Sequence, residues 1–66
     1  MKVTINGVPR EVAAGTTVAE AVSEMTPAAA GIAVAVNDEV VRRADWAATR
    51  LGPGDRVEVL TAVQGG

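Results

Sequence analysis

Both ends of this chain carry the alternating apolar and polar pattern of a β-strand, with a short helical pattern between them. Met1–Ile5 alternates near the start, and Val57 and Val59 alternate with charged residues near the end. Successive side chains of a strand point to opposite faces, so each pattern predicts a strand with one buried face. A chain of 66 residues has room for a single small core. Because both end strands are strongly patterned, we expect them to lie side by side and parallel in the middle of one sheet.

A hairpin turn is predicted at Asn6-Gly7, because both residue types tolerate positive φ. The return strand is predicted over Arg10–Ala13, and two registers fit the sequence. A two-residue loop sets Arg10 opposite Val3, whereas a four-residue loop sets Val12 there. We favour the longer loop, because it pairs apolar side chains with each other and keeps the proline out of the ladder.

A short helix is predicted after Gly15. Thr17 and Glu20 fit a capping box, in which each side chain satisfies a free backbone N–H at the helix start. Thr26-Pro27 is expected to end the helix, because the residue before proline avoids helical geometry. One apolar helix face is formed by residues at the i, i+3, i+4 and i+7 spacing: Val18, Ala21, Val22 and Met25.

The second half of the chain predicts a second hairpin. Gly31–Val36 is continuously apolar, as expected of an interior strand, and Asn37-Asp38 turns it into a strand over Glu39–Val41. The segment 42–51 has no clean periodicity, and we expect it to be irregular with one helical turn near Ala44–Trp46.

The dense turn signal Gly52–Asp55 leads into the last strand, Arg56–Leu60. The order of elements predicts an α+β fold of the β-grasp (ubiquitin-like) type. It has a mixed five-stranded sheet, one short helix packed on one face and a flexible C-terminal tail. The predicted domain covers residues 1–61, and the tail covers residues 62–66.

The composition argues against catalysis by the chain itself. It has no cysteine and no histidine, which removes the common nucleophile, the usual general base and the commonest metal ligands. We therefore expect no catalytic residue and no metal site. With a net charge of −2 and one aromatic residue, nucleic-acid binding is not expected. No segment is predicted to cross a membrane or to act as a signal peptide, so the expected location is the cytoplasm.

The chemistry is expected at the C-terminus, Gly65-Gly66, which follows an apolar stretch of low charge. Neither residue has a side chain, so this end can enter a narrow active site of another protein. The alternative is a frayed chain end without a role.

The chain resembles the ThiS family, the ubiquitin-like sulfur carriers of thiamine thiazole biosynthesis, over its whole length. Arg42 departs from the family pattern, which often has proline there, and this affects only the expected loop shape. The segments that carry the resemblance are Met1–Gly7, Gly15–Val18, Ala33–Asn37, Trp46–Leu51, Gly54–Val59 and Thr61–Gly66.

The resemblance implies a protein cosubstrate rather than an enzyme. An adenylating enzyme of the ubiquitin-activator type would use ATP to activate Gly66, and the carrier itself would bind no cofactor. A persulfide protein would then supply sulfur, so that Gly66 becomes a thiocarboxylate that donates sulfur to thiazole synthase. The residues expected to thread into partner active sites are Ala62, Val63, Gln64 and Gly65.

Two further features allow a structural and a functional interpretation. Trp46 is expected to fill the small core rather than to anchor a partner. Leu60 is out of phase with the buried valines, so we expect it to form a partner-docking patch with Ala33 and Ala35 beside the tail. The alternative is an ordinary exposed leucine.

Three other functions fit parts of the sequence. The small subunit of molybdopterin synthase resembles this fold and shares the thiocarboxylate chemistry, but Ala62-Val63-Gln64 favours the thiamine family. A ubiquitin-like protein modifier would instead join Gly66 to lysine side chains. A simple interaction module would tolerate removal of Gly65-Gly66.

Overall fold

The computed structural model describes residues 1–25 and 31–61, with the backbone alone for Thr61. Five strands form one mixed sheet in the order β2-β1-β5-β3-β4. β1 and β5 are parallel neighbours, and the other neighbouring pairs are antiparallel. The predicted β-grasp sheet, with the two end strands paired in its interior, is confirmed. The strands are β1 Lys2–Ile5, β2 Val8–Glu11, β3 Ile32–Val36, β4 Glu39–Val41 and β5 Arg56–Thr61.

The favoured register of the first hairpin is wrong. Arg10, not Val12, lies opposite Val3, and the loop has two residues. Asn6 and Gly7 have φ values of 51° and 80°, and positive φ at both central residues is what a type I′ turn requires. That turn matches the twist of the strands, so the longer loop brings no advantage.

Pro9 does not disturb this pairing, although we expected it to lie outside the ladder. It lies opposite Thr4, whose N–H donates to the carbonyl oxygen of Asp55 on the β5 side at 2.9 Å. Thr4 and Pro9 therefore form a non-hydrogen-bonded pair of the antiparallel ladder, in which the backbone N and C=O groups of both residues point away from the partner strand. The nitrogen of Pro9 thus points out from the sheet edge. Proline is tolerated there because no ladder hydrogen bond needs its N–H.

The helix α1 spans Val18–Met25 and begins with the predicted capping box. The carboxylate of Glu20 accepts from the N–H of Thr17 at 2.9 Å, and the N–H of Glu20 donates to the hydroxyl of Thr17 at 3.2 Å. Val18 is fully buried, and Met25 is more than one-third exposed at the helix end. The predicted stop at Thr26-Pro27 lies outside the described residues.

A 3₁₀ helix over Arg43–Ala48 replaces the mostly irregular segment that we expected there. Its Trp46 is only 5% exposed, and its indole N–H donates to the carbonyl oxygen of Val41 at 3.0 Å. The interpretation of Trp46 as a core residue is therefore confirmed. After this helix the chain is bound to the start of α1, because the N–H of Val18 donates to the carbonyl oxygen of Thr49 at 2.9 Å.

The core lies between one face of the sheet and the layer formed by α1 and the 3₁₀ helix. The opposite face of the sheet has no covering layer among the described residues. The buried apolar residues are Val3, Ile5, Val18, Ala21, Val22, Val34, Trp46, Leu51, Val57 and Val59.

Candidate functional site

The strand β5 is the element that leads to the C-terminal residues, and it is the central strand of the sheet. On one side it pairs with β3 along five residue pairs, ending with Thr61 opposite Ile32. On the other side it pairs with β1 only through Thr4–Arg56 and Ile5–Val57. The part of β5 nearest the C-terminus is therefore paired by a strand on one side alone.

On the β1 side, a side chain takes over where the strand pairing ends. The backbone N–H of Asn6 donates to the carbonyl oxygen of Val57 at 2.9 Å. Two residues further along β5, the side-chain carbonyl of Asn6 accepts from the N–H of Val59 at 2.8 Å. The side-chain NH₂ of Asn6 donates to the carbonyl oxygen of Val59 at 3.2 Å. Asn6 therefore holds β5 by its backbone and by its amide.

We did not identify Asn6 as a candidate site residue from the sequence. The Asn-Gly pair is a strong turn signal, and the turn accounts for both residue types. The partner of the amide lies 53 positions away, so no local pattern points to it.

The three residues that we predicted for docking lie on one face of the sheet, the face that lacks the helix. Leu60 lies directly opposite Ala33, and Ala35 lies on the same strand two residues further along. Leu60 is 67% exposed and Ala33 is also exposed, whereas Ala35 is half-buried. We call this face the bare face. Its use by a partner remains a prediction.

Val40 extends this group of apolar residues toward the edge of the sheet. It lies opposite Ala35 across the second hairpin and is 78% exposed. We missed it in the sequence, because its face depends on the register of that hairpin. Asn37 and Asp38 have φ values of 51° and 70°, which fit a two-residue turn and place Val40 beside Ala35.

Charged side chains border the apolar part of the bare face. Glu58 lies opposite Ala35, and Arg56 forms an exposed ion pair with Asp38 at 3.1 Å. An exposed pair of this kind adds little stability. The bare face therefore offers a small apolar surface with polar surroundings, which suits a reversible contact with another protein.

The remaining predicted site residues lie outside the described residues. These are Gly66 and the four positions before it, Ala62, Val63, Gln64 and Gly65. Within residues 1–25 and 31–61 no group of acidic side chains is placed to hold a metal ion. In the same residues, no helix is both long and apolar enough to cross a membrane.

Comparison with known proteins extends over the whole chain. The sulfur carrier protein ThiS of Escherichia coli strain K12 is 32% identical over 66 residues, which is 100% of both chains. The crystal structure of the thiamine biosynthesis protein ThiS from Geobacter metallireducens has a TM-score of 0.82 and 38% identity, and covers 100% of both chains. A solution structure of a thiamine biosynthesis protein from the same organism gives a TM-score of 0.81 at 38% identity, covering 100% of this chain and 88% of that one.

The family model agrees with these similarities. It matches residues 3–66, from the first strand through Gly65-Gly66, under the description ThiS family. The fold shown by the structure is also the fold of the similar solved structures. The chain therefore belongs to the ThiS family.

Proposed function

We propose that this chain is a sulfur carrier protein for synthesis of the thiamine thiazole ring, with Gly66 as the residue that carries the sulfur. The family match that includes Gly65-Gly66 is the observation that carries this proposal. Similarity over the full length of a curated relative named as a sulfur carrier protein supports it. The absence of cysteine and histidine from the sequence fits a cosubstrate whose reactions are catalysed by its partners.

The first step activates the C-terminal carboxylate, which is a poor electrophile. On an adenylating enzyme, the carboxylate of Gly66 attacks the α-phosphorus of ATP and pyrophosphate leaves. The product is an acyl-adenylate, in which AMP is the leaving group. ATP is bound by that enzyme, and the carrier needs no cofactor of its own.

The second step exchanges oxygen for sulfur. The terminal sulfur of a persulfide on a donor protein attacks the acyl carbon of Gly66, and AMP leaves. A thiol then cleaves the sulfur–sulfur bond by exchange, which leaves a thiocarboxylate on Gly66 and a disulfide on the donor. The thiocarboxylate sulfur is nucleophilic and is transferred to a carbonyl-derived intermediate on thiazole synthase.

The position of β5 suits this role. Strands on both sides fix the start of β5, and β3 pairs with it as far as Thr61. Five residues follow Thr61. An extended segment of that length spans at most roughly 17 Å, enough to enter a narrow cleft while the domain stays outside. Ala62, Val63, Gln64 and Gly65 are the threading residues of this proposal.

The bare face is the proposed contact surface for the adenylating enzyme. Leu60 and Ala33 are exposed there, and both lie near the end of β5. A partner that covers Leu60 therefore also receives the chain that leaves the same strand. Ala35 continues this surface away from the end of β5.

Intact-mass spectrometry of the chain tests the proposal directly. The chain is incubated with the adenylating enzyme of its host, ATP and a persulfide donor. We expect a mass gain equal to exchange of one oxygen for one sulfur, with fragment ions that locate it at Gly66. Omission of ATP should abolish the gain. No gain, with the enzyme shown to be active on a control carrier, would contradict the proposal.

The Gly65→Val variant tests the steric part of the same proposal. A branched side chain next to the reacting residue should block entry into the active site, so little thiocarboxylate should form. Ser23→Val, which adds the same branched side chain at an exposed position of α1, is the control and should react normally. Normal thiocarboxylate formation by Gly65→Val would contradict the threading role.

Transfer to purified thiazole synthase then distinguishes the thiamine pathway from molybdopterin synthesis. Formation of the thiazole product supports the proposed function, and transfer only to a molybdopterin synthase large subunit would replace it. Conjugates joined to lysines through Gly66 in cell extract would instead identify a protein modifier.

A further inference from the structure

The side of β5 that faces β1 changes its partner close to the C-terminus. Hydrogen bonding between the two backbones reaches Val57, whose carbonyl oxygen accepts from the N–H of Asn6 at 2.9 Å. Beyond this bond, the chain that forms β1 turns away from β5 through Asn6-Gly7 and continues into β2. Val59 is the next residue of β5 whose backbone N–H and carbonyl oxygen point toward this side. Among the residues that the structure describes, no backbone group of a neighbouring strand is there to bond with them.

The amide of Asn6 supplies both bonds that a continuing strand would have made. In a parallel ladder, a residue such as Val59 donates to one carbonyl oxygen and accepts from one N–H of the neighbouring strand. Here the side-chain carbonyl and NH₂ of Asn6 take those positions, at 2.8 Å and 3.2 Å. Both bonds are partly buried, so water does not replace them freely if the amide is lost.

We propose that Asn6 is a positioning residue that fixes the direction in which β5 leaves the sheet, and with it the presentation of Gly66 to the adenylating enzyme. This inference rests on the proposed function. Without the amide, the last residues of β5 are held from the β3 side only, and small rotations about that ladder change where the following residues point. A misplacement of about 1 Å at a reacting group can cost on the order of 100-fold in rate.

The second hairpin provides an internal control for this proposal. Asn37 has the same φ of 51° as Asn6, and its side-chain carbonyl accepts from the N–H of Arg56 at 3.0 Å. Its NH₂ donates to the carboxylate of Asp55, also at 3.0 Å. The amide of Asn37 therefore holds the first residue of β5, whereas the amide of Asn6 holds Val59, two residues before the end of β5.

The experiment compares Asn6→Gly with Asn37→Gly. Glycine adopts positive φ without strain, so each variant keeps its turn and loses only the amide. Rates of thiocarboxylate formation are measured with the adenylating enzyme, below the melting temperatures of both variants. We expect kcat to fall about tenfold or more for Asn6→Gly, with KM little changed because the bare face is intact. Asn37→Gly should keep a kcat close to that of the unaltered chain.

Amide hydrogen exchange of the same variants gives a readout that does not depend on the enzyme. In Asn6→Gly the N–H of Val59 loses its acceptor, so it should exchange faster than in the unaltered chain. In Asn37→Gly the faster exchange should be confined to the start of β5, at Arg56. The exchange rate of the Val59 N–H in Asn6→Asp should lie between those of the unaltered chain and Asn6→Gly, because a carboxylate accepts from Val59 but cannot donate to its carbonyl oxygen.

Two results would overturn the proposal. One is an equal loss of kcat in both glycine variants, which would indicate a general effect of stability. The other is unchanged exchange at Val59 in Asn6→Gly. The proposed function fails separately, if the unaltered chain gives no thiocarboxylate with an active enzyme, and the role of Asn6 in the reaction then fails with it.

Discussion

The two faces of the sheet use the same strands for different purposes. On β5, Val57 and Val59 point into the core and are buried, while Glu58 and Leu60 alternate with them on the bare face and are exposed. On β3, Val34 is buried in the core and Ala33 is exposed on the bare face. Folding buries one face in the core. The residues on the other face can therefore change with little effect on folding, and they are available to a partner.

The energetic difference between the faces follows from burial. A fully buried valine contributes about 1.5–3 kcal/mol relative to an exposed one. Val3, Val34 and Val57 are each 1% exposed, so each of them makes this contribution almost in full. Leu60 gains little in the free domain, because two-thirds of its surface still faces water. Substitutions on the two faces should therefore separate stability from partner binding.

The largest expected effect is that of Val57→Asp on the core face. A buried carboxylate without a partner costs at least about 3 kcal/mol, and the lost burial of the valine side chain costs about 1.5–3 kcal/mol more. Together these costs match or exceed the stability of about 5 kcal/mol that a small domain of this kind has. We expect the variant to be largely unfolded at 25 °C, as measured by circular dichroism and by the dispersion of amide signals in NMR spectra. Cooperative unfolding at the same urea concentration as the unaltered chain would contradict this assignment of the core.

The next effect is that of Leu60→Asp on the bare face. The free energy of unfolding should change by less than about 0.5 kcal/mol, because the side chain is exposed. Affinity for the adenylating enzyme should fall about tenfold or more, which corresponds to about 1.4 kcal/mol. Isothermal titration calorimetry measures this affinity, and urea unfolding measures the stability.

Val8→Asp is the matched control for Leu60→Asp. Val8 is also an exposed apolar residue, at 52%, but it lies on the edge strand β2, two strands away from β5. The Val8→Asp variant adds the same charge outside the predicted docking surface. Its affinity for the adenylating enzyme should therefore stay near that of the unaltered chain. Equal losses in both variants would indicate an effect of net charge and would remove the docking role of Leu60.

The smallest effect is that of Thr17→Ala at the start of α1, in the layer that covers the core face. Loss of a capping hydroxyl costs about 1 kcal/mol. Ser23→Ala, at an exposed position of the same helix, is the control and should change stability by less than about 0.5 kcal/mol. Urea unfolding measures both. Affinity for the adenylating enzyme should not change, and a loss in Thr17→Ala would show that the two faces are not independent.

Apart from the pairing of β1 with β5, which was inferred from the order of the elements, the parts of the fold that were predicted correctly depend on near neighbours in the chain. The capping box joins Thr17 and Glu20, three residues apart. Alternation along β5 separates Leu60 from Val57 and Val59, which placed Leu60 on the bare face. In each case the physical cause lies within one turn of helix or a few residues of strand, where the sequence pattern is direct.

The errors and omissions have a different cause. For the hairpin register, apolar pairing between strands was given more weight than the type I′ turn at Asn6-Gly7, and that turn leaves Pro9 opposite Thr4 with its nitrogen toward the open edge. The amide of Asn37 bonds to Arg56, 19 positions away. Val40 joins the bare face through its pairing with Ala35, which again depends on register.

The sequence by itself determined the five strands and α1, their order, the buried alternation of the end strands and the match to the ThiS family through Gly65-Gly66. Those properties are encoded in local spacing and in residue types that need no distant partner. The tertiary structure alone decided that the side chains of two turn asparagines hold β5 at two points, Asn37 at Arg56 and Asn6 at Val59. A hydrogen bond across 53 positions exists only after the sheet has assembled, because its two groups are brought together by the pairing of β1 with β5.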